Sequence, residues 1–135
     1  FYKIAIKPGK PLLFGTHVAS DGHTARVLAL PGNPASAFVT FFLFGLPLLR
    51  ALAGAPSPRP VPRKATLRQA VRHATGRLEF LRGRLHDDGT VEALAAQASG
   101  AVTSLAAANA LLAIPAELAE LAAGSSIDVY PLSTR

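Results

Sequence analysis

Ala25-Arg26-Val27-Leu28-Ala29-Leu30-Pro31-Gly32-Asn33-Pro34-Ala35-Ser36-Ala37 holds a strand, a break and a helix start in thirteen residues. Residues 25–30 form an apolar run of strand length, the pattern of a buried strand. Pro31-Gly32 interrupts it. Asn33 suits a helix N-cap, because its side-chain oxygen can accept a free backbone N–H of the first turn. Pro34 follows at the first helical position, where a missing N–H costs nothing. The helix is predicted over residues 34–53, kinked at Pro47 and stopped at Gly54. Strand, glycine loop and helix together are the recurrent unit of an α/β fold.

Residues 2–7 alternate Tyr2, Ile4 and Ile6 with Lys3, Ala5 and Lys7, as in a half-buried strand. Pro8-Gly9 is a turn, residues 11–15 resume an extended path, and Ser20-Asp21-Gly22 turns again. Downstream, residues 54–62 contain four prolines and read as a stiff linker. Beyond it, strands are predicted over 65–71, 77–85, 91–96, 110–114 and 126–132, with turns at 74–76 and 87–89. Ser99-Gly100 starts a short helical turn running to 107, and residues 115–123 are a brief helix or a loop. The organisation is an α/β unit in residues 1–54, a linker in 55–62 and a small, mainly β domain in 63–135.

Half of the 135 residues are apolar and only 16% are charged, which excludes a disordered chain. The lack of Met and the opening in mid-strand suggest part of a longer protein. The net charge is +6, and nine Lys and Arg between Arg50 and Arg84 face one acid, Glu79. Such an excess suits phosphate or oxyanion partners, or is simply a solvated basic surface. Without Cys there is neither a disulfide nor a thiolate site. Residues 37–49 are nearly all apolar but fall short of the ~20 residues a bilayer needs, and Gly45 and Pro47 interrupt them. A core or interface helix is expected there.

Three places are candidates for anion chemistry, the alternatives being a plain basic turn, an ordinary capped helix and an arginine paired within the chain. In Lys7-Pro8-Gly9-Lys10-Pro11, two ammonium groups flank a turn whose glycine allows close backbone approach. Lys3 shares the strand face of Lys7 at roughly 13 Å, from ~3.3 Å per residue. Gly32-Asn33-Pro34 presents the N–H groups of a helix start, which favour phosphate. Arg82 lies beside Leu78 and Phe80 on the predicted inner face and needs a partner: Glu92, Asp128 or a bound anion. Ser99 caps the following turn or donates its hydroxyl to the same anion. The four His lack metal-ligand spacing, and no acid–base pair is complete.

Lys3-Ile4-Ala5-Ile6-Lys7-Pro8-Gly9-Lys10-Pro11, Phe14-Gly15 and Leu30-Pro31-Gly32-Asn33-Pro34-Ala35-Ser36-Ala37 together strongly resemble the MoeA/gephyrin E-domain family of molybdopterin molybdenumtransferases. Further matches are Gly76-Arg77-Leu78-Glu79-Phe80-Leu81-Arg82-Gly83, Gln97-Ala98-Ser99-Gly100, residues 108–115 and residues 124–129. Ala98 stands where that family commonly has Gly. The resemblance implies that residues 1–54 are the latter half of an α/β molybdopterin-binding subdomain, and that residues 63–135 are a β-barrel-like C-terminal domain. It implies insertion of molybdate into adenylylated molybdopterin with release of AMP and with magnesium, in a cytoplasmic homodimer without nucleic-acid or membrane partners. On this resemblance Lys3 and Lys7 are catalytic, and Lys7, Lys10, Pro11, Arg82 and Ser99 line the molybdate pocket. Pro31, Gly32, Asn33, Pro34 and Ser36 form the pterin-nucleotide loop. The magnesium-binding acids are expected upstream of Phe1, so this piece alone is expected to be inactive. The rival reading is a non-catalytic dimerisation or scaffold module of the gephyrin kind.

Overall fold

The computed structural model describes residues 1–98 and 102–132. In chain order these form β1 (Ile6–Lys7), β2 (Leu13–Val18), β3 (Thr24–Ala29), α1 (Pro34–Leu52), β4 (Arg63–Leu67), β5 (Val71–Arg72), β6 (Leu78–Leu85), β7 (Thr90–Ala93), α2 (Val102–Ala107), β8 (Ala110–Ile114), β9 (Glu120–Leu121) and β10 (Ser126–Pro131). Five strands close on themselves in the order β6-β7-β4-β10-β8, with β8 returning to β6. Closure leaves these strands no long free edge, which is how a small β domain avoids edge pairing.

The interior follows from period-two alternation. Ala65 and Leu67 of β4, Leu81 of β6, Val91 of β7, Leu112 and Ile114 of β8, and Ile127 and Val129 of β10 meet in one core. Their neighbours Lys64, Thr66 and Ser126 point to solvent. β6 departs from this pattern, because residues 79–83 are all buried. Its outward residue Phe80 packs with Ile6 of β1, Val39 and Phe42 of α1 and Leu111 of β8. The face carrying Leu78, Phe80 and Arg82 is therefore outside the barrel and covered by the N-terminal segment, whereas Leu81 points inward.

β1 is what attaches that segment. It pairs in parallel with the first residues of β6, Ile6 with Leu78 and Lys7 with Glu79. The strand expected over residues 2–7 shrinks to this pair. Lys3 adopts a positive φ of 68°, which breaks the alternation, and its ammonium sits 5.0 Å from the centre of the Tyr2 ring. Lys3 and Lys7 consequently do not share one strand face.

β2 and β3 form an antiparallel hairpin, whose first strand is also bridged to Tyr2 through Leu13, and among the described residues the hairpin joins no larger sheet. The buried strand expected at 25–30 is largely exposed. An α/β layer needs a second strand parallel to β3, and the described residues do not supply one. Small and mainly β, with a closed five-stranded barrel, is the fold this chain itself builds.

α1 starts as expected: Asn33 Oδ1 accepts from the Ala35 N–H at 3.2 Å. Instead of a simple kink, residues Phe41–Gly45 widen into a π-helical turn just before Pro47, with the Leu46 N–H reaching Phe41 O. A widened turn accommodates the proline ring and its missing donor. At the other end Gly54, with φ 80°, closes the helix as Gly54 N–H bonds Ala51 O and Ala55 N–H bonds Arg50 O. By length and composition α1 would suffice to cross a membrane, yet Val39 and Phe42 pack against the barrel.

Several expected boundaries shift. Residues 65–71 split into β4 and β5, residues 91–96 pair only to Ala93, and the 115–123 segment is a turn with the two-residue β9 rather than a helix. The basic stretch is partly neutralised by acids from elsewhere: Lys64 pairs with Asp128, Arg68 with Asp88 and Arg72 with Glu120.

Asp88 gives a pH prediction. Its carboxylate accepts from Thr90 Oγ1 at 2.6 Å, from the Thr90 N–H at 3.0 Å and from Arg68 at 2.9 Å. The Thr90 bonds first, then Arg68, hold its pKa at about 2 instead of the ordinary 3.8. A pKa lowered by folding adds stability when the group is ionised, and that stability disappears as pH falls through the interval. Urea midpoints should decline between about pH 4 and about pH 2, and less steeply in Asp88→Asn. Equal slopes for the two proteins would refute the assignment.

Candidate functional site

The register that sets Lys7 against Glu79 brings charged side chains together at the start of β6. Lys7 Nζ lies 2.8 Å from Glu79 Oε1, with the lysine side chain 47% exposed and the glutamate 8%. The other carboxylate oxygen is 3.2 Å from Nδ1 of His73, whose side chain is 1% exposed. That approach is close enough for an ion pair but off the line of a hydrogen bond, so both atoms lack a hydrogen-bond partner. A cavity of about 510 Å³ is lined by Lys7, Pro8, Glu79, Phe80, Leu81, Arg82, Gln97 and Ala98. A second cavity, of about 350 Å³, shares Lys7, Glu79, Leu81 and Gln97 and reaches Gln69 and His73.

Arg82 is 1% exposed, the largest fully buried side chain of the described residues. One guanidinium nitrogen donates to Ala96 O at 2.9 Å and to Ala98 O at 3.1 Å, while Nε has no partner. The partners considered from sequence are engaged elsewhere: Glu92 meets His86 and Asp128 meets Lys64. Burial lowers the pKa of the guanidinium by disfavouring its charge. Gln97 grips the backbone of the same residue, accepting from Arg82 N–H at 3.0 Å and donating to Arg82 O at 2.8 Å. Arg82 and Gln97 thus pin residues 96–98 to β6, and with them the approach to Ser99. Ser99 itself lies outside the described residues.

The Lys-Pro-Gly-Lys turn is seated on α1. Gly9 is buried with φ 120°, and a Cβ there would strike the Thr40 methyl. Thr40 is itself fully buried, with its hydroxyl donating to Ser36 O at 2.7 Å. This contact joins the lysine turn to the helix that follows Pro31-Gly32-Asn33-Pro34. Of the residues singled out from sequence, Lys7 and Arg82 line one cavity. Lys10 and Pro11 are exposed and do not line it, and neither does Lys3. The Asn33 side-chain oxygen caps α1, Pro31 and Ser36 are buried, and Gly32 and Pro34 are exposed.

Sequence reading missed Glu79, His73 and Gln97. Glu79 had one signal, being the single acid in the basic stretch. Gln97 stood in the Gln97-Ala98-Ser99-Gly100 match without a role of its own, and His73 had no signal, since both roles arise only when the chain folds back on β6.

Residues 64–132, the barrel, match the model of the MoeA C-terminal region, domain IV. The chain belongs to this family. Among curated relatives, "Molybdopterin molybdenumtransferase 2" of Mycobacterium tuberculosis is 37% identical over 134 residues, covering 98% of this chain and 32% of the relative. "Molybdopterin molybdenumtransferase" of Synechococcus elongatus is 41% identical over 133 residues, covering 98% of this chain and 31% of the relative. Among solved structures, a "Molybdenum cofactor biosynthesis protein" from Pyrococcus furiosus superposes with a TM-score of 0.76 at 29% identity. It covers 97% of this chain and 44% of that one. The chain spans about a third of the length of these curated MoeA relatives.

Proposed function

We propose that this chain is part of a molybdopterin molybdenumtransferase, and that it supplies cations and backbone to the site where molybdate meets adenylylated molybdopterin. The observation that carries this reading is the convergence of Lys7 and Arg82, 75 positions apart in sequence, on one cavity. Family membership supports the same reading. Lys7 is the accessible cation, able to stabilise the oxyanion and the charge that develops at phosphorus as AMP leaves. Arg82 acts through the 96–98 carbonyls, holding the segment that leads to Ser99. Lys3, Lys10 and Pro11, and the loop of Pro31, Gly32, Asn33, Pro34 and Ser36, are proposed as outer contacts for the larger pterin nucleotide.

The hairpin and α1 of residues 1–54 are read as the closing part of an α/β molybdopterin-binding subdomain whose sheet lies outside this chain, with 55–62 as the linker. Among the described residues no three His, Asp or Glu side chains gather to hold a metal ion. The magnesium ligands are proposed to be acids outside this chain. A cytoplasmic homodimer is the expected setting. The scaffold reading is favoured by one observation: Phe38, Phe41, Leu49 and Leu52 of α1 are substantially exposed, as at an interface.

Calorimetric titration of the full-length protein with molybdate tests the enzyme reading. Lys7→Ala should weaken binding about tenfold to a hundredfold, the worth of one charge-assisted contact. It should also lower the melting temperature, because the buried Glu79 carboxylate loses its counter-charge. Added salt should weaken wild-type binding more than that of the variant. Unaltered affinity in Lys7→Ala would favour the scaffold.

A further inference from the structure

Four buried side-chain atoms among the described residues have no hydrogen-bond partner: both ring nitrogens of His73, one oxygen of Glu79 and Nε of Arg82. All belong to residues that line the two adjoining cavities. Buried polar atoms are paired as a rule, because leaving them unpaired costs the full desolvation penalty. Three of the four lie where His73 faces Glu79, behind the Lys7 ion pair.

We propose that Glu79 and His73 form a proton-linked positioning pair for Lys7, taking up one proton from solvent when an oxyanion binds the Lys7 ammonium. The proposal rests on the oxyanion reading given above. Its basis is an asymmetry of burial. Lys7 is 47% exposed and can turn towards an incoming anion, whereas Glu79, at 8%, cannot follow it. When the ammonium turns away, a buried carboxylate remains without a counter-charge, which is strongly unfavourable. An oxyanion brought against the same ammonium also repels that carboxylate. One proton from solvent, held between Glu79 and His73, cancels the charge that Lys7 has left. No bond other than those to the proton changes.

The other groups around the pair do not take this role. Among the described residues lining the two cavities, the remaining charged groups are Lys7 of β1, Arg72 of β5 and Arg82 of β6. Arg72 pairs with Glu120 of β9, and Arg82 is bound to the Ala96 and Ala98 carbonyls. Gln69 and Gln97 are neutral. His73 is thus the other group beside Glu79 whose side chain can hold a proton, on a ring nitrogen.

The test is calorimetric titration of the full-length protein with molybdate in two buffers of different ionisation enthalpy, repeated across pH. Wild type should take up close to one proton per anion. Its affinity should fall as pH rises, by up to tenfold per unit. His73→Gln should bind molybdate without proton uptake and with a flat pH profile. Glu79→Gln should also lose the uptake, and at the alkaline end should bind at least as tightly as wild type, since the competing carboxylate is gone. Glu79→Asp should restore the proton linkage. Should Glu79→Gln fail to fold, the wild-type buffer comparison and His73→Gln still decide. Molybdate binding without proton exchange in wild type overturns the proposal and leaves the oxyanion reading standing. Absence of molybdate binding at every pH overturns both.

Discussion

Arg82→Ala is expected to destabilise the barrel by about 3 kcal/mol, on the scale of a buried charged group removed from its hydrogen bonds. The side chain is fully buried beside Phe80 and Leu111, so truncation opens a void on the outer face of β6. The carbonyls of Ala96 and Ala98 lose their donor as well. From the sequence a bound anion is one candidate partner for Arg82, and on that reading Arg82→Ala weakens anion binding and spares the fold, whereas the structure gives the guanidinium to backbone carbonyls. Urea unfolding of wild type and variant measures the loss through the shift in midpoint. Arg82→Lys should fall between them, since an ammonium keeps the charge but not the planar fork. A midpoint unchanged by Arg82→Ala would show that the side chain serves ligand binding alone.

The second large effect is expected at Gly83. A Cβ there would strike Leu112, which is fully buried, and would sit 2.6 Å from the backbone carbonyl of Glu92. Neither neighbour can yield: one lies in the barrel core, and the other is backbone of the paired strand β7. Gly83→Ala should therefore cost about 1–3 kcal/mol as an overpacked core does, and Gly83→Val more. Gly15 in the exposed hairpin is the control, because nothing lies within 4 Å of its added Cβ. Thermal unfolding should separate the two alanine variants clearly. Equal melting temperatures would mean that β6 and β7 can spread apart at this point.

Much of the architecture was legible because its causes are local. Asn33 followed by Pro34 fixes a helix start, and Gly54 a helix end, through backbone groups within one turn of each residue. The inward alternation of Ala65 with Leu67 and of Ile127 with Val129 follows from strand geometry alone. The lysine turn and the Leu-Pro-Gly-Asn-Pro loop carried enough residue-level pattern to suggest the family, which the match over residues 64–132 bears out.

Other features were not legible. Period-two alternation says that Arg82 and Phe80 share a face but not which face, because β6 is covered on both sides. The expected strand over residues 2–7 failed at Lys3, where local pattern gave no warning of a positive φ. The expected buried strand at 25–30 lies in an exposed hairpin, since burial depends on neighbours that these residues do not themselves supply.

By itself, then, the sequence determined helix caps, strand periodicity, the lysine turn and the family pattern, all set by residues within a few positions of one another. Only the tertiary structure decided that Lys7 stands opposite Glu79, that His73 closes behind it, and that Arg82 belongs to the 96–98 carbonyls. These partners lie from 6 to 72 positions apart, and a parallel register or a barrel closure has no signature in either segment alone. Backbone pairing between distant strands sets those distances, and the charges act on one another only after it has formed.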